Sequence, residues 1–160
     1  MALIERMQKT TDATRWHGKI PLNYVYTAGR AGEVFFRTLK DKGQFVGTKC
    51  EECDQVYVQA RIFCESCFAR LESNYVPVAK TGVVQTFTLS YETYDEQPKE
   101  TPTIVAAIAL DGADTVLMHW LGEVDIDDCA IGMPVEAVFA PKAQRTGSIL
   151  DVKYFRPTGQ

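Results

Sequence analysis

No apolar run in the chain approaches the roughly 18 residues a membrane-spanning helix needs, and the opening MALIERMQKTTDATRW lacks the apolar core and small-residue cleavage site of a secretory signal. The expected compartment is therefore the cytoplasm, where thiols stay reduced and closely spaced cysteines read as metal ligands or redox groups before disulfides. Catalytic signatures are missing too: there is no G-x-S-x-G, no phosphate loop and no H-E-x-x-H. Gly29 and Gly32 give a G-x-x-G spacing, which is too common to carry a function. Histidine is scarce, with two in the chain. His17 and His119 stand outside any motif and read as packed or surface residues rather than acid–base groups.

Positive charge is short in the second half. Residues 1–79 carry eleven Lys and Arg against nine Asp and Glu, whereas residues 80–160 carry six against twelve, so the overall net charge of −4 conceals +2 followed by −6. What the chain does have is a 46% hydrophobic content over 160 residues, enough for one packed domain or two small ones.

Residues 1–26 show no sustained period and read as an arm, with residues 20–26 extended because Pro21 discourages helix. From Arg30 to Lys42 the period becomes helical: Val34, Phe35, Thr38 and Leu39 share a face, cations gather at the end, and Gly43 can supply a left-handed cap. Residues 55–58 and 60–63 are short β-prone pieces with too little apolar surface for a core of their own. After Lys80 the texture is all-β. Val83, Gln85, Phe87, Leu89 and Tyr91 alternate with their neighbours, and the face shared by Val83, Phe87, Leu89 and Tyr91 reads as core. Further strands are expected over 103–110, 115–121, 135–139 and 149–155, with turns at 95–102, Asp111-Gly112 and 145–148 and a longer crossover over 125–132. Five short strands with one long connection fit a Greek-key barrel of the OB type, and a five-stranded meander or sandwich is the competing topology.

The expected fold is thus mainly β with an N-terminal helix: an arm and amphipathic helix over 1–45, a rubredoxin-like zinc ribbon over 46–79, and a five-stranded OB-fold barrel over 80–160.

Four of the five cysteines, Cys50, Cys53, Cys64 and Cys67, fall within eighteen residues as two C-x2-C pairs. Each pair offers two sulfurs from one tight turn, and two such turns complete a closed tetrahedral shell of the kind structural Zn2+ accepts. Iron uses the same four ligands, while a redox disulfide suits a single C-x2-C better than a matched double one. A closed shell leaves no position for substrate, so the metal folds the segment and does not catalyse. Asp54 follows the first pair, where a knuckle favours positive φ. Cys129 is the one thiol left over. Asp125, Asp127 and Asp128 precede it and, if close in space, disfavour a thiolate, so it reads as a small loop or core residue. An OB-fold also raises the alternative of a single-stranded nucleic-acid module, which would need a basic groove with stacking aromatics; the −6 of the barrel half counts against it.

The order of helix, double C-x2-C ribbon and acidic barrel resembles the zinc-ribbon/OB-fold family of acyl-CoA-associated proteins. The resemblance covers about residues 20–157 and rests on Ala31-Gly32-Glu33-Val34-Phe35-Phe36, the ribbon, Thr81-Gly82-Val83-Val84 and the closing Lys153-Tyr154-Phe155-Arg156-Pro157. Family members often carry Pro-Pro-Arg before the second pair, where this chain has Gln59-Ala60-Arg61, so only the arginine matches. The segment Tyr24-Val25-Tyr26-Thr27 is similar to the subset that accompanies thiolases of aromatic or alkylsuccinate degradation, such as the small subunit of benzoylsuccinyl-CoA thiolase. The resemblance implies a non-catalytic accessory subunit bound to a thiolase-like chain that carries the catalytic residues, with this chain helping to shape the entrance for CoA or acyl-CoA. If CoA phosphates touch this chain, Arg30, Lys40, Lys42 and Arg61 around the ribbon are the candidate cations, each of which reads otherwise as a solvated surface residue.

Overall fold

The computed structural model describes residues 26–93 and 95–159. Most of the expected arm, with His17 and residues 20–25, lies outside the described residues.

Helix α1 runs from Gly29 to Lys42 and buries Ala31, Phe35 and Leu39 along one stripe. Gly43 ends it as expected: at φ 61° its N–H bonds the Leu39 carbonyl, and lysines 40 and 42 occupy the last turn, where they favour the negative end of the helix dipole. The chain then enters β1 (Phe45–Lys49), which lies between β2 (Val56–Tyr57) and β3 (Tyr75–Val78) in a three-stranded antiparallel sheet. Neither β1 nor β3 alternates in hydropathy. The first is buried along almost its whole length and the second contains Pro77, so neither carries the period-2 signature of a half-exposed strand.

The barrel consists of β4 (Thr81–Glu92), β5 (Pro98–Leu110), β6 (Val116–Trp120), β7 (Pro134–Phe139) and β8 (Val152–Pro157) in the order β6-β5-β4-β7-β8. A parallel bridge between Leu121 and Phe155 brings the two edges together. The first strand pairs with the second and fourth, and the third meets the fifth, which is the Greek-key arrangement of an OB-fold rather than a meander.

Three expectations are corrected. The core face of β4 is not the single row Val83, Phe87, Leu89 and Tyr91. Val84 pairs with Ile108 but Thr86 with Ala107, so Gln85 is an extra residue that shifts the alternation by one. Upstream of it Val84 is fully buried and Val83 is exposed; downstream Phe87 and Leu89 are half-buried against the core, while Tyr91 stands in solvent beyond it. The loop expected over 95–102 is shorter, because β5 already begins at Pro98 and the β4–β5 hairpin runs well past the contacts of its neighbours. The last strand begins at Val152, not 149. Two 3-10 turns (Lys142–Gln144 and Ile149–Asp151) replace a simple hairpin, because the buried Asp151 carboxylate accepts the backbone N–H groups of Thr146, Gly147 and Ser148 and folds the chain back on itself.

One continuous core joins helix, ribbon sheet and barrel, with Phe35, Leu39, Phe45, Val58, Val78, Ile108, Val135 and Phe155 among its members. Ribbon and barrel are also tied by polar contacts. Asp114 takes the Val56 N–H on Oδ2 at 2.7 Å, and Thr115 Oγ1 both accepts from the Val58 N–H and donates to the Val58 carbonyl at 2.9 and 2.8 Å. Among the described residues, no helix is long and apolar enough to cross a membrane.

Candidate metal centre

The sequence-predicted ligands converge. Cys50 sits at the end of β1, Cys53 three residues on, and Cys64 and Cys67 on the second turn, with all four sulfurs within 4.8 Å of one another. Cys50 and Cys67 sulfurs are 3.5 Å apart, and those of Cys64 and Cys53 3.9 Å. A tetrahedron with metal–sulfur bonds of about 2.3 Å has edges of roughly 3.8 Å, so the residues present fit a structural Zn2+.

Local backbone bonds shape each knuckle. The Cys50 N–H reaches the Gln55 carbonyl at 2.8 Å, the Cys64 N–H the Ala69 carbonyl at 2.9 Å, and the Phe68 N–H the Cys64 carbonyl at 3.1 Å. The residue after each pair lies in the left-handed region, Asp54 at φ 56° and Phe68 at φ 60°. The first was legible, because Asp tolerates that region. The second was not, since a bulky aromatic is disfavoured there.

Electrostatics explain why this set demands a cation. The Tyr57 hydroxyl, 3.2 Å from Cys64 Sγ, together with the neighbouring N–H groups, pulls the Cys64 thiol down to about 6. Cys53, beside Cys67 and then increasingly buried among the other sulfurs, is pushed up to about 12. Four crowded sulfurs cannot all ionise unless a divalent ion takes up the charge. Tyr57 is the functional neighbour that sequence reading missed. It is 2% exposed, forms a small second core with Cys50, Cys64 and Leu71, and also contacts Gln55 Oε1 at 2.8 Å.

Among the described residues, the other reactive groups stay apart from this centre. Cys129 packs against the barrel core, and burial pushes its thiol up. His119 is 7% exposed; its Nδ1 accepts the Trp120 N–H at 2.9 Å and its Nε2 lies 3.4 Å from the Ile149 carbonyl, while burial lowers its pKa. Both ring nitrogens are thus engaged, Nδ1 by the next residue of its own strand and Nε2 by the turn before β8.

The four candidate cations do not form one cluster. Arg30 and Lys42 lie near opposite ends of α1, about 18 Å apart along its axis. Arg30 pairs with Glu72 at 3.4 Å and lines an open groove of about 690 Å³ with Val34 and Tyr75. Arg61 pairs with Glu65 and lies over the Tyr57 ring at 5.0 Å. Lys40 borders a separate groove of about 370 Å³ beside Phe36 and Gly147, and Lys40 and Lys42 have no acidic partner among the described residues.

A closed four-sulfur knuckle pair on a small antiparallel sheet, followed by a five-stranded Greek-key barrel, defines a zinc-ribbon/OB-fold protein. Residues 37–72 match the rubredoxin-like zinc ribbon domain of ChsH2 and residues 75–140 match the ChsH2 C-terminal OB-fold domain. The chain belongs to this ChsH2-like zinc-ribbon/OB-fold family, DUF35. It is similar to a DUF35 domain-containing scaffold protein of Methanocaldococcus jannaschii, at 27% identity over 65% of this chain and 73% of the relative. A DUF35 domain-containing scaffold protein of Methanothermobacter thermautotrophicus is 25% identical over 65% of this chain and 77% of its own. Among solved structures, a DUF35-family protein of unknown function from Sulfolobus solfataricus superposes with a TM-score of 0.58 at 25% identity, covering 81% of this chain and 84% of that one. A structure described as an Ltp2-ChsH2(DUF35) aldolase shares the fold with a TM-score of 0.59 at 22% identity, over 87% and 98%.

Proposed function

We propose that this chain is the non-catalytic accessory subunit of a heteromeric thiolase-type acyl-CoA enzyme, held in shape by its zinc and serving as a scaffold for a catalytic partner. One observation carries the reading: every clustered thiol is committed to a closed four-sulfur site. Among the described residues, those left, a core-packed Cys129 and a fully engaged His119, do not supply the nucleophile, second acid–base group and oxyanion site that thiolytic cleavage needs. Relatives named as scaffold proteins, and a structural neighbour in which a DUF35 chain is combined with Ltp2 as an aldolase, support a role beside an enzyme subunit.

Within that role the chain helps form the entrance for CoA or acyl-CoA, and the pathway is aromatic, benzylsuccinate-type degradation. Lys40 and Lys42 are the free cations for CoA phosphates; Arg30 and Arg61, already paired with acids, have weaker claims.

The test is to assay this chain, its thiolase-like partner and the two together with CoA and an arylsuccinyl-type thioester. Cleavage by the pair and none by this chain alone is expected. A turnover-competent chain on its own defeats the reading. Replacing Lys40 and Lys42 together by Ala should raise the KM for CoA with little change in kcat, and an unchanged KM removes them from the entrance.

A further inference from the structure

The outer face of the barrel sheet is uncharged over three cross-strand rows. β5 contributes Ala109, Ala107 and Val105, β6 contributes Val116, Met118 and Trp120 opposite them, and the β4 neighbours are Val83, Thr86 and Thr88. Met118 is 67% exposed, Trp120 46%, Val83 41% and Val116 39%. None of these side chains ionises, although the barrel half carries eighteen ionised Lys, Arg, Asp and Glu residues. Beside Trp120 a cleft of about 200 Å³, floored by Ile149 and Leu150, is the size of one large side chain. A contiguous uncharged surface of this kind differs from singly scattered exposed hydrophobics, and the largest such patch on a protein is often a functional contact.

Three features decide what covers it. The outer face of the second and third barrel strands is where OB-folds receive ligands, and single-stranded nucleic acid needs cations there, which these rows lack. Three strands about 4.8 Å apart and three rows about 6.8 Å apart cover roughly 300 Å², well short of the approximately 800 Å² per partner of a stable interface, so the face is the apolar centre of a larger contact. In the next row Lys99 Nζ donates to Ser90 Oγ at 3.1 Å and to Thr103 Oγ1 at 3.0 Å, and among the described residues no carboxylate pairs with it. A positive charge without its counter-ion at the border of an apolar patch calls for an acid on the opposing surface.

We propose that this β4–β5–β6 face is the centre of the contact with the catalytic subunit, whose matching surface is apolar, inserts a side chain beside Trp120 and places a carboxylate opposite Lys99. The proposal rests on the accessory-subunit reading. Its test titrates the full-length zinc-loaded chain against the thiolase-like subunit, identified by its thiolytic activity with this chain present. Met118→Glu weakens binding by at least about thirtyfold, as expected for a central contact residue, and Lys99→Glu by about tenfold. Zinc content and melting stay unchanged in both. Trp120→Ala reads the same contact without introducing a charge, should Met118→Glu melt early. In a Trp16→Phe background the single remaining tryptophan, Trp120, shifts its emission to the blue on binding.

If the subunit binds wild type and all these variants equally, the face fails and the accessory reading stands; if no thiolase-like subunit binds wild type, both fail. A concentration-dependent dimer of the isolated chain that Met118→Glu breaks would assign the face to a second copy. Blue-shifted Trp120 emission in the isolated monomer would assign it to residues 1–25, and oligonucleotide retention lost in Trp120→Ala would assign it to nucleic acid. Each of these overturns the proposal.

Discussion

The rings of Phe45 and Phe155 lie parallel within 6°, their centroids 6.1 Å apart, and so join the first strand of the ribbon to the last strand of the barrel. Phe45 also stacks on Phe35 of α1 at 6.5 Å and meets Phe139 of β7 at 5.3 Å. A single fully buried ring therefore touches every layer of the molecule. Phe45→Ala is expected to cost about 3–5 kcal/mol and to split one cooperative unfolding transition into two, because it removes the shared packing as well as the transferred area. A single transition with a loss under about 1 kcal/mol, followed by calorimetry, would contradict that role.

Tyr57 tests the zinc centre without touching a ligand. Tyr57→Phe keeps the buried ring and removes the hydroxyl beside Cys64 Sγ. Zinc affinity should fall about 10–100-fold, the range for loss of a partner that orients a metal ligand. Competition against a chromophoric chelator measures it, and an affinity equal to wild type would exclude a supporting role for the hydroxyl.

Two glycines are required for different reasons. A Cβ on Gly82 would stand 2.2 Å from the Ala109 carbonyl oxygen and 2.8 Å from Leu110 Cα, both backbone atoms of the paired strand. On Gly43 it would meet the guanidinium of Arg145 at 2.6 Å, which can swing away, leaving the cost of a positive φ. Gly82→Ala should therefore cost more than about 3 kcal/mol, and Gly43→Ala about 1–2 kcal/mol. Urea midpoints in the reverse order would show that the β4–β5 pairing adjusts more easily than this packing allows.

Asp151 gives the fold a defined acid limb. Burial alone would raise its pKa, but the N–H groups of Thr146, Gly147 and Ser148 and the Thr146 hydroxyl outweigh burial and hold the carboxyl below its ordinary value. A carboxylate lowered in the folded state stabilises fully above its unfolded pKa, near 4, and loses that contribution as pH falls through the lower folded value. Asp151→Asn should cost about 1–3 kcal/mol at pH 7 by weakening these bonds, and the gap to wild type should shrink below pH 4. Parallel denaturation curves at pH 7 and pH 3 decide it: a gap that widens on acidification has the wrong sign.

Phe68 sits at φ 60° with its ring 77% exposed, so its backbone strain is not offset by burial in this chain. Phe68→Gly should leave zinc bound and raise the melting temperature slightly, by the equivalent of up to about 1 kcal/mol. A clear drop in melting temperature would mean that the ring packs more than its exposure indicates.

The four-cysteine cluster was legible because a tetrahedral ion imposes a fixed spacing on sequence, and α1 was legible because its stripe, basic last turn and Gly43 cap agree. The barrel strands were found for the same reason, as alternation bounded by turns. What escaped follows from physics that acts across the fold. β1 is buried on both faces, and β3 holds a proline, so neither alternates. Tyr57 was visible only as a β-prone residue, since its link to Cys64 depends on how two loops approach. The apolar outer face of β4, β5 and β6 arises from strand register, which sets Met118 beside Ala107 and Trp120 beside Val105.

Gln85 sits between two halves of one strand that obey opposite parity. Such an element has an arithmetic of its own. Deleting Gln85 would close the bulge and leave Val84 and Phe87 facing inward as before, whereas inserting a further residue between Val84 and Thr86 would turn one half of the strand inside out; changing the identity of Gln85 should matter little. At that point in the chain it is the count of residues, more than their chemistry, that keeps a greasy interior in and an uncharged contact surface out.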